Sequence, residues 1–218
     1  MKVTTIIFDL DGTLIDSSEG IVEAFNHALQ EFGLPAVAAE KITPMIGFPV
    51  ESMFQQVTTE AIAELKNAFR TKAMETVVKA SRPLFGAEKV ITSLFDRGFK
   101  LSIATTKIRA HLDGILEKLG WDEYFATVVG GDEVSAVKPH PEQFEFLMKK
   151  SNCDKNSAVV VGDTINDILA ARAAGLTEIA VRSPYGNSIQ VQQLKPRYFL
   201  EEIDELPEVI SRLNGMEK

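Results

Sequence analysis

Val3-Thr4-Thr5-Ile6-Ile7-Phe8-Asp9-Leu10-Asp11-Gly12-Thr13-Leu14-Ile15-Asp16 is the stretch on which the reading of this chain turns. A run of β-branched and aromatic residues stops at two carboxylates spaced two apart, and a glycine follows at once. Such a run fits a strand covered on both faces, as in a parallel sheet. Side chains alternate along a strand, so Asp9 and Asp11 share a direction only while the backbone stays extended. Gly12 then allows a turn that another residue would be strained to make. Two acids would project from the carboxyl end of a central strand, where open α/β sheets bind ligands. Taken alone, Asp-x-Asp-Gly reads equally as a polar turn. A calcium loop also opens on spaced acids, but it asks for a third oxygen ligand at Thr13 and a glycine at Leu14, and neither is convincingly supplied. The choice depends on what the other segments bring to these acids.

Size and charge narrow the field. With 218 residues, 45% of them hydrophobic, the chain can bury a sizeable core without disulfides, as one large domain or two small ones. The single cysteine, Cys153, cannot form an intrachain bridge and suits a reducing compartment. The chain starts directly in a strand pattern with no basic, apolar leader, and no apolar run approaches the roughly 20 residues of a membrane span. A cytoplasmic protein without membrane contact is expected. A net charge of −8 argues against sequence-independent binding of nucleic acid. It leaves room for a phosphorylated small molecule if a metal, a lysine or a helix N-terminus makes the site locally positive.

Beyond the first strand, residues 17–80 read as helical. Ile21, Phe25, Ala28, Leu29 and Phe32 recur at helix spacing, and two further helices are expected at 50–57 and 59–79. Arg82-Pro83-Leu84-Phe85-Gly86 reads as a return linker. The chain then alternates: strands at 100–104, 126–129, 158–161 and 178–181, with helices at 87–96, 108–119, 142–150 and 165–174 and a helical tail. The expected architecture is α/β, a doubly wound parallel sheet of five strands. Its core would come from 1–16 and 82–218, and 17–81 would form an inserted helical cap.

Three other stretches fall at strand ends. Thr105-Thr106 offers a hydroxyl and the free N–H groups of a following helix, or is simply a helix cap. Lys138 lies in a loop before Pro139, where a lysine is ordinarily solvated. Gly162-Asp163-Thr164-Ile165-Asn166-Asp167 places two acids four apart as a loop winds into a helix, with Asp163 also readable as a cap. Asp9, Asp11, Asp163 and Asp167 at one sheet edge would repel strongly without a cation. Hard oxygen ligands of this kind suit magnesium better than zinc.

In order and spacing, Asp9-x-Asp11-Gly12-Thr13, Thr105, Lys138-Pro139 and Gly162-Asp163-x-x-x-Asp167 resemble the four-motif signature of the haloacid dehalogenase superfamily. The helical insertion and the phrases Asp16-Ser17 and Lys138-Pro139-His140-Pro141-Glu142 are similar to its phosphoglycolate-phosphatase-like branch, which carries a C1-type cap. The resemblance implies Asp9 as nucleophile, Asp11 as general acid and base, Thr105 as a phosphoryl hydrogen-bond partner and Lys138 as charge balance. It implies a Mg2+ held by Asp9, the Asp11 carbonyl, Asp163 and Asp167, and substrate contacts from Gly12, Thr13, Thr106 and, on the cap, Gly47. Glu19 and Phe48 are further candidates to face the site from the cap.

The implied substrate is a small phosphorylated metabolite. Phosphoglycolate leads, with pyrophosphate, sugar phosphates and nucleoside monophosphates as alternatives, for a monomer or homodimer. Asp11 favours phosphate chemistry over dehalogenation, because similar dehalogenating members lack it. A β-phosphoglucomutase-type mutase would be expected to have a histidine after the first motif and an arginine in the cap loop; this chain has Ser17-Ser18-Glu19-Gly20-Ile21 and Met45-Ile46-Gly47-Phe48-Pro49-Val50 there. Thr106 stands where the phosphatase branch often has asparagine. A non-catalytic phospho-binding or receiver-like module would order its acids differently and lack the cap.

Overall fold

A computed structural model describes residues 2–186 and 188–215. Strand β1 (Thr5–Phe8) runs into the short β2 (Ile15–Asp16), followed by helices α1 (Ser18–Glu31), α2 (Ala39–Ile42), α3 (Val50–Gln55) and α4 (Ile62–Ala80). The two-residue β3 (Arg82–Pro83) then leads to α5 (Ala87–Asp96), β4 (Lys100–Ala104), α6 (Arg109–Leu119), β5 (Phe125–Val129) and α7 (Glu142–Ser151). The chain ends with β6 (Ala158–Gly162), α8 (Ile165–Ala173), β7 (Thr177–Val181), α9 (Ser188–Gln193), β8 (Tyr198–Leu200) and α10 (Leu206–Leu213).

Among the described residues, six strands form one parallel sheet in the order β5-β4-β1-β6-β7-β8. β1 lies inside it, Phe8 level with Ile103 of β4 and Val161 of β6. Its alternate side chains serve two cores. Ile6 and Phe8 pack with Leu94 of α5, Leu112 of α6 and Ile210 of α10, while Ile7 packs with Phe144 of α7 and Ala171 of α8. Burial on both faces is what the uninterrupted apolar run of β1 predicts. The chain leaves β1 for one side of the sheet and later crosses to the other, so the crevice at the carboxyl end of β1 is a topological switch point.

The structure adds a sixth strand, β8, where only helical tail is expected, and a β2–β3 ribbon pairing Asp16 with Arg82. An ion pair of 3.0 Å between these two side chains closes the ribbon through which the chain enters and leaves the helical segment. That segment has aromatic packing of its own: Phe25 stacks on Phe54 at 4.2 Å between ring centroids, and Phe69 meets Phe54 edge-on. Helices α1 and α4 come so close at Gly20 that a Cβ there would lie 2.5 Å from the Thr76 carbonyl oxygen. Alanine ordinarily gains up to about 1 kcal/mol over glycine inside a helix. Here the obstacle is backbone, so Gly20→Ala is expected to destabilise by about 1–3 kcal/mol. An unchanged or raised melting temperature would contradict this packing.

Candidate active site

The loop after β1 turns back on itself, with Leu14 and Ile15 both donating to the Leu10 carbonyl (2.9 and 3.1 Å). Leu10 is buried, while Asp9 and Asp11 on either side of it stand at the strand end. Gly12 is required twice over: its φ is +79°, and a Cβ would lie 2.3 Å from an Asp163 carboxylate oxygen. Thr13 Oγ1 donates to Asp163 Oδ1 at 2.9 Å, tying the β1 loop to the end of β6.

Lys138, in a loop that sequence alone leaves solvated, is 1% exposed. Its Nζ donates to Asp9 Oδ1 (2.6 Å), Asp167 Oδ1 (2.5 Å) and the Ala104 carbonyl at the end of β4 (3.0 Å). Asp163 does not cap α8. Thr164 does, in a reciprocal box in which its Oγ1 accepts from the Asp167 N–H (3.3 Å) and its own N–H donates to Asp167 Oδ2 (3.0 Å), an oxygen that also accepts from the Thr164 hydroxyl (2.5 Å). Both oxygens of Asp167 are therefore engaged by protein groups, whereas of Asp163 only Oδ1 is, by Thr13: Oδ2 is buried without a hydrogen-bond partner.

Burial opposes the charge of Lys138, but Asp167 and Asp9 outweigh it and hold the ammonium above the usual lysine value. Burial pushes the Asp9 carboxyl up to about 7, with the Asp167 charge adding to the rise and Lys138 opposing it. Burial, Asp9 and Asp167 also push Asp163 well up. Oxygens of Asp9, Asp163 and Asp167 lie within 4.8 Å of one another. Three carboxylates against one ammonium leave two negative charges, which a divalent cation would balance. All-oxygen donors and the orphaned Asp163 oxygen fit magnesium.

Asp11 sits slightly apart. Its Oδ2 pairs with Lys107 Nζ at 2.9 Å, and Ser17 Oγ donates to Oδ1. Thr105 is buried beside them, with its hydroxyl accepting from the Lys107 N–H at 3.3 Å. The helix expected at 108–119 is α6, which starts at Arg109 with Ile108 rather than Thr105-Thr106 at its N-cap; the Arg109 N–H donates to Asp132 (2.7 Å), so this N–H is already occupied. Thr106 and Gly47 both line a cavity of about 250 Å³ that reaches Asp11 between α4 and the sheet edge. Phe48 lines it too; Glu19 instead lies 4.0 Å from Arg82.

Two contributors have no signature in the sequence. Lys107 is a lone loop lysine, and the fully buried Gln143 donates to the Thr105 carbonyl (2.8 Å) and accepts from the Lys138 N–H (3.2 Å), holding two loops in register.

The match to known proteins follows this geometry. The family model described as haloacid dehalogenase-like hydrolase matches residues 6–181, which spans β1 to β7. The chain belongs to the haloacid dehalogenase-like hydrolases. Pyrophosphatase PpaX of Halalkalibacterium halodurans is 31% identical over 210 residues, covering 96% of this chain and 98% of that one. Probable phosphatase IndB of Dickeya dadantii is 32% identical over 210 residues, covering 92% and 90%. The crystal structure of a predicted phosphoglycolate phosphatase from Haemophilus somnus superposes with a TM-score of 0.84 at 27% identity, covering 96% of this chain and 98% of that one. This haloacid dehalogenase-like hydrolase is an enzyme of the superfamily's phosphatase group. No helix among its described residues is long and apolar enough to cross a membrane.

Proposed function

We propose that this hydrolase is a cytoplasmic, Mg2+-dependent phosphatase that cleaves a small phosphomonoester through an aspartyl-phosphate. The observation that carries the reading is the placement of Lys138 between Asp9 and Asp167 while a buried Asp163 oxygen stays unpartnered. Lys138 fixes one oxygen of Asp9, leaving the other to attack phosphorus in line. As the phosphorus–oxygen bond to the leaving group breaks, Asp11 gives that oxygen a proton. Asp11 then takes a proton from the water that attacks the phosphorus of the aspartyl-phosphate, freeing phosphate and restoring Asp9. Thr105 and Lys138 face the phosphoryl oxygens, with Gly12, Thr13 and Thr106 lining their approach. Asp9, the Asp11 carbonyl, Asp163 and, directly or through water, Asp167 would hold Mg2+, which when bound supplies positive charge to the phosphoryl group. Residues 17–81 act as the cap, pivoting at Asp16-Ser17 and Arg82-Pro83.

Phosphoglycolate leads among the substrates by resemblance, and the PpaX relatives support pyrophosphate beside it. Colorimetric phosphate release from p-nitrophenyl phosphate tests the reading: turnover with magnesium and none without it is expected, and metal-independent or absent turnover would contradict it.

Metal binding has its own readout. The folded-state values of Asp9 and Asp163 lie above those of an unfolded chain. Their contribution to stability is therefore full in acid and lost as pH rises through about 7 for Asp9. The metal-free protein is expected to melt lower at pH 8 than at pH 5.5. Mg2+ at about a hundred times its dissociation constant should raise the melting temperature by about 5–10 °C at pH 8 and by less at pH 5.5. Equal shifts at the two pH values would count against a metal bound by these acids.

A further inference from the structure

The cavity that opens from Asp11 has a charge pattern the catalytic acids do not explain. Five ionisable side chains of fixed charge line it: Asp11, Glu51, Lys66, Arg70 and Lys107. Four of them form two pairs, Lys107 with Asp11 at 2.9 Å and Lys66 with Glu51 at 3.0 Å. The Arg70 guanidinium, on α4, has no ion pair or hydrogen bond among the described residues and is only partly exposed. Its backbone is held in place from the sheet side, where His111 Nε2 of α6 donates to the Arg70 carbonyl at 3.1 Å. Because a carbonyl only accepts, the His111 proton sits on Nε2. Burial lowers His111 to about 4, so the ring is neutral near pH 7 and adds no charge to the cavity. Much of the remaining wall is apolar, including Ile21, Ile46, Phe48, Met53 and Phe69. A cation facing such a wall is weakly screened, and an anion placed against it gains correspondingly.

We infer that Arg70 is a specificity-determining residue, reading a second negative charge on a small leaving group, carboxylate or phosphate, that occupies this cavity. The inference rests on the phosphatase reading and narrows its substrate class. The volume of about 250 Å³ falls below the roughly 300–1,000 Å³ of sites for drug-sized ligands, which favours a leaving group of a few heavy atoms over a nucleoside. Planar guanidinium suits both anions, since each can accept two parallel N–H bonds.

The test compares pyrophosphate, phosphoglycolate and 2-hydroxyethyl phosphate, the last two differing in a carboxylate against an uncharged hydroxymethyl end. With magnesium, the wild type should favour an anionic leaving group by about tenfold or more in kcat/KM. Arg70→Gln should remove about 10–100-fold of that value, mostly through KM, as expected for losing a hydrogen bond between charged groups. Its loss on 2-hydroxyethyl phosphate should be at least about tenfold smaller, and Arg70→Lys should recover part of the activity. Whichever anionic substrate loses more identifies the source of the charge. Equal losses on all three substrates, or none, would overturn the inference. Calorimetric titration with imidodiphosphate, which needs no turnover, should show binding weakened about tenfold by Arg70→Gln, and unchanged affinity would overturn the inference. Absence of magnesium-dependent release from all three substrates by the wild type would instead fault the phosphatase reading, leaving the titration to judge Arg70.

Discussion

Asp9→Asn should reduce magnesium-dependent phosphate release by roughly 10⁶-fold, the scale seen when a covalent nucleophile is removed. The amide keeps the shape of the carboxylate and still offers Lys138 an oxygen, at the 2.6 Å position, but has no charge with which to attack phosphorus. The same substitution should leave the metal-free fold intact. Burial already pushes Asp9 up to about 7, so above that pH the folded protein carries the ionised carboxylate at a cost in stability, which a neutral side chain removes. Assay and melting curve together separate a chemical role from a structural one: lost turnover with an unchanged or raised melting temperature is expected. Retention of more than a few per cent of turnover would remove Asp9 from the nucleophile's position.

Lys138→Met is expected to have the largest effect on stability. Methionine fills similar space, so the loss is chiefly the ammonium and its three hydrogen bonds, to Asp9, Asp167 and the Ala104 carbonyl. Removing one partner of a buried ion pair costs about 3–5 kcal/mol, because the remaining charges stay buried and uncompensated. For a chain of 218 residues that corresponds to a fall of about 6–20 °C in melting temperature. Coupling gives the sharper check. In the double variant with Asp9→Asn one of the stranded carboxylates is gone, so the combined loss should be smaller than the sum of the two singles. Simple additivity would show that Lys138 and Asp9 do not sense each other.

Much of this arrangement was legible in sequence because it rests on local rules. The apolar run of β1 had to be buried on both faces, and Gly12 had to mark a turn. Strands followed by helices at regular intervals had to pair in parallel. Spacing also brought out Asp163 and Asp167, although it could not assign the cap to Thr164, since Asp and Thr both serve at that position. Lys138 was the opposite case: a loop lysine is ordinarily solvated, and only tertiary packing buries it among carboxylates. Gln143 and Lys107 act through a few tertiary contacts that leave no periodicity. Arg70 lies on α4 among other polar residues, and its lack of a partner is a property of the assembled cavity. Strands β2, β3 and β8 have two or three residues each, too few to alternate visibly.

The proposed chemistry predicts one transient species in one place. Reaction with substrate and magnesium followed by a rapid borohydride quench would reduce an aspartyl-phosphate to homoserine, which peptide mass spectrometry can locate. Homoserine at position 9, seen only when substrate and magnesium are both present, is the predicted result. Homoserine at position 11 or 163, or none while phosphate is being released, would contradict the account.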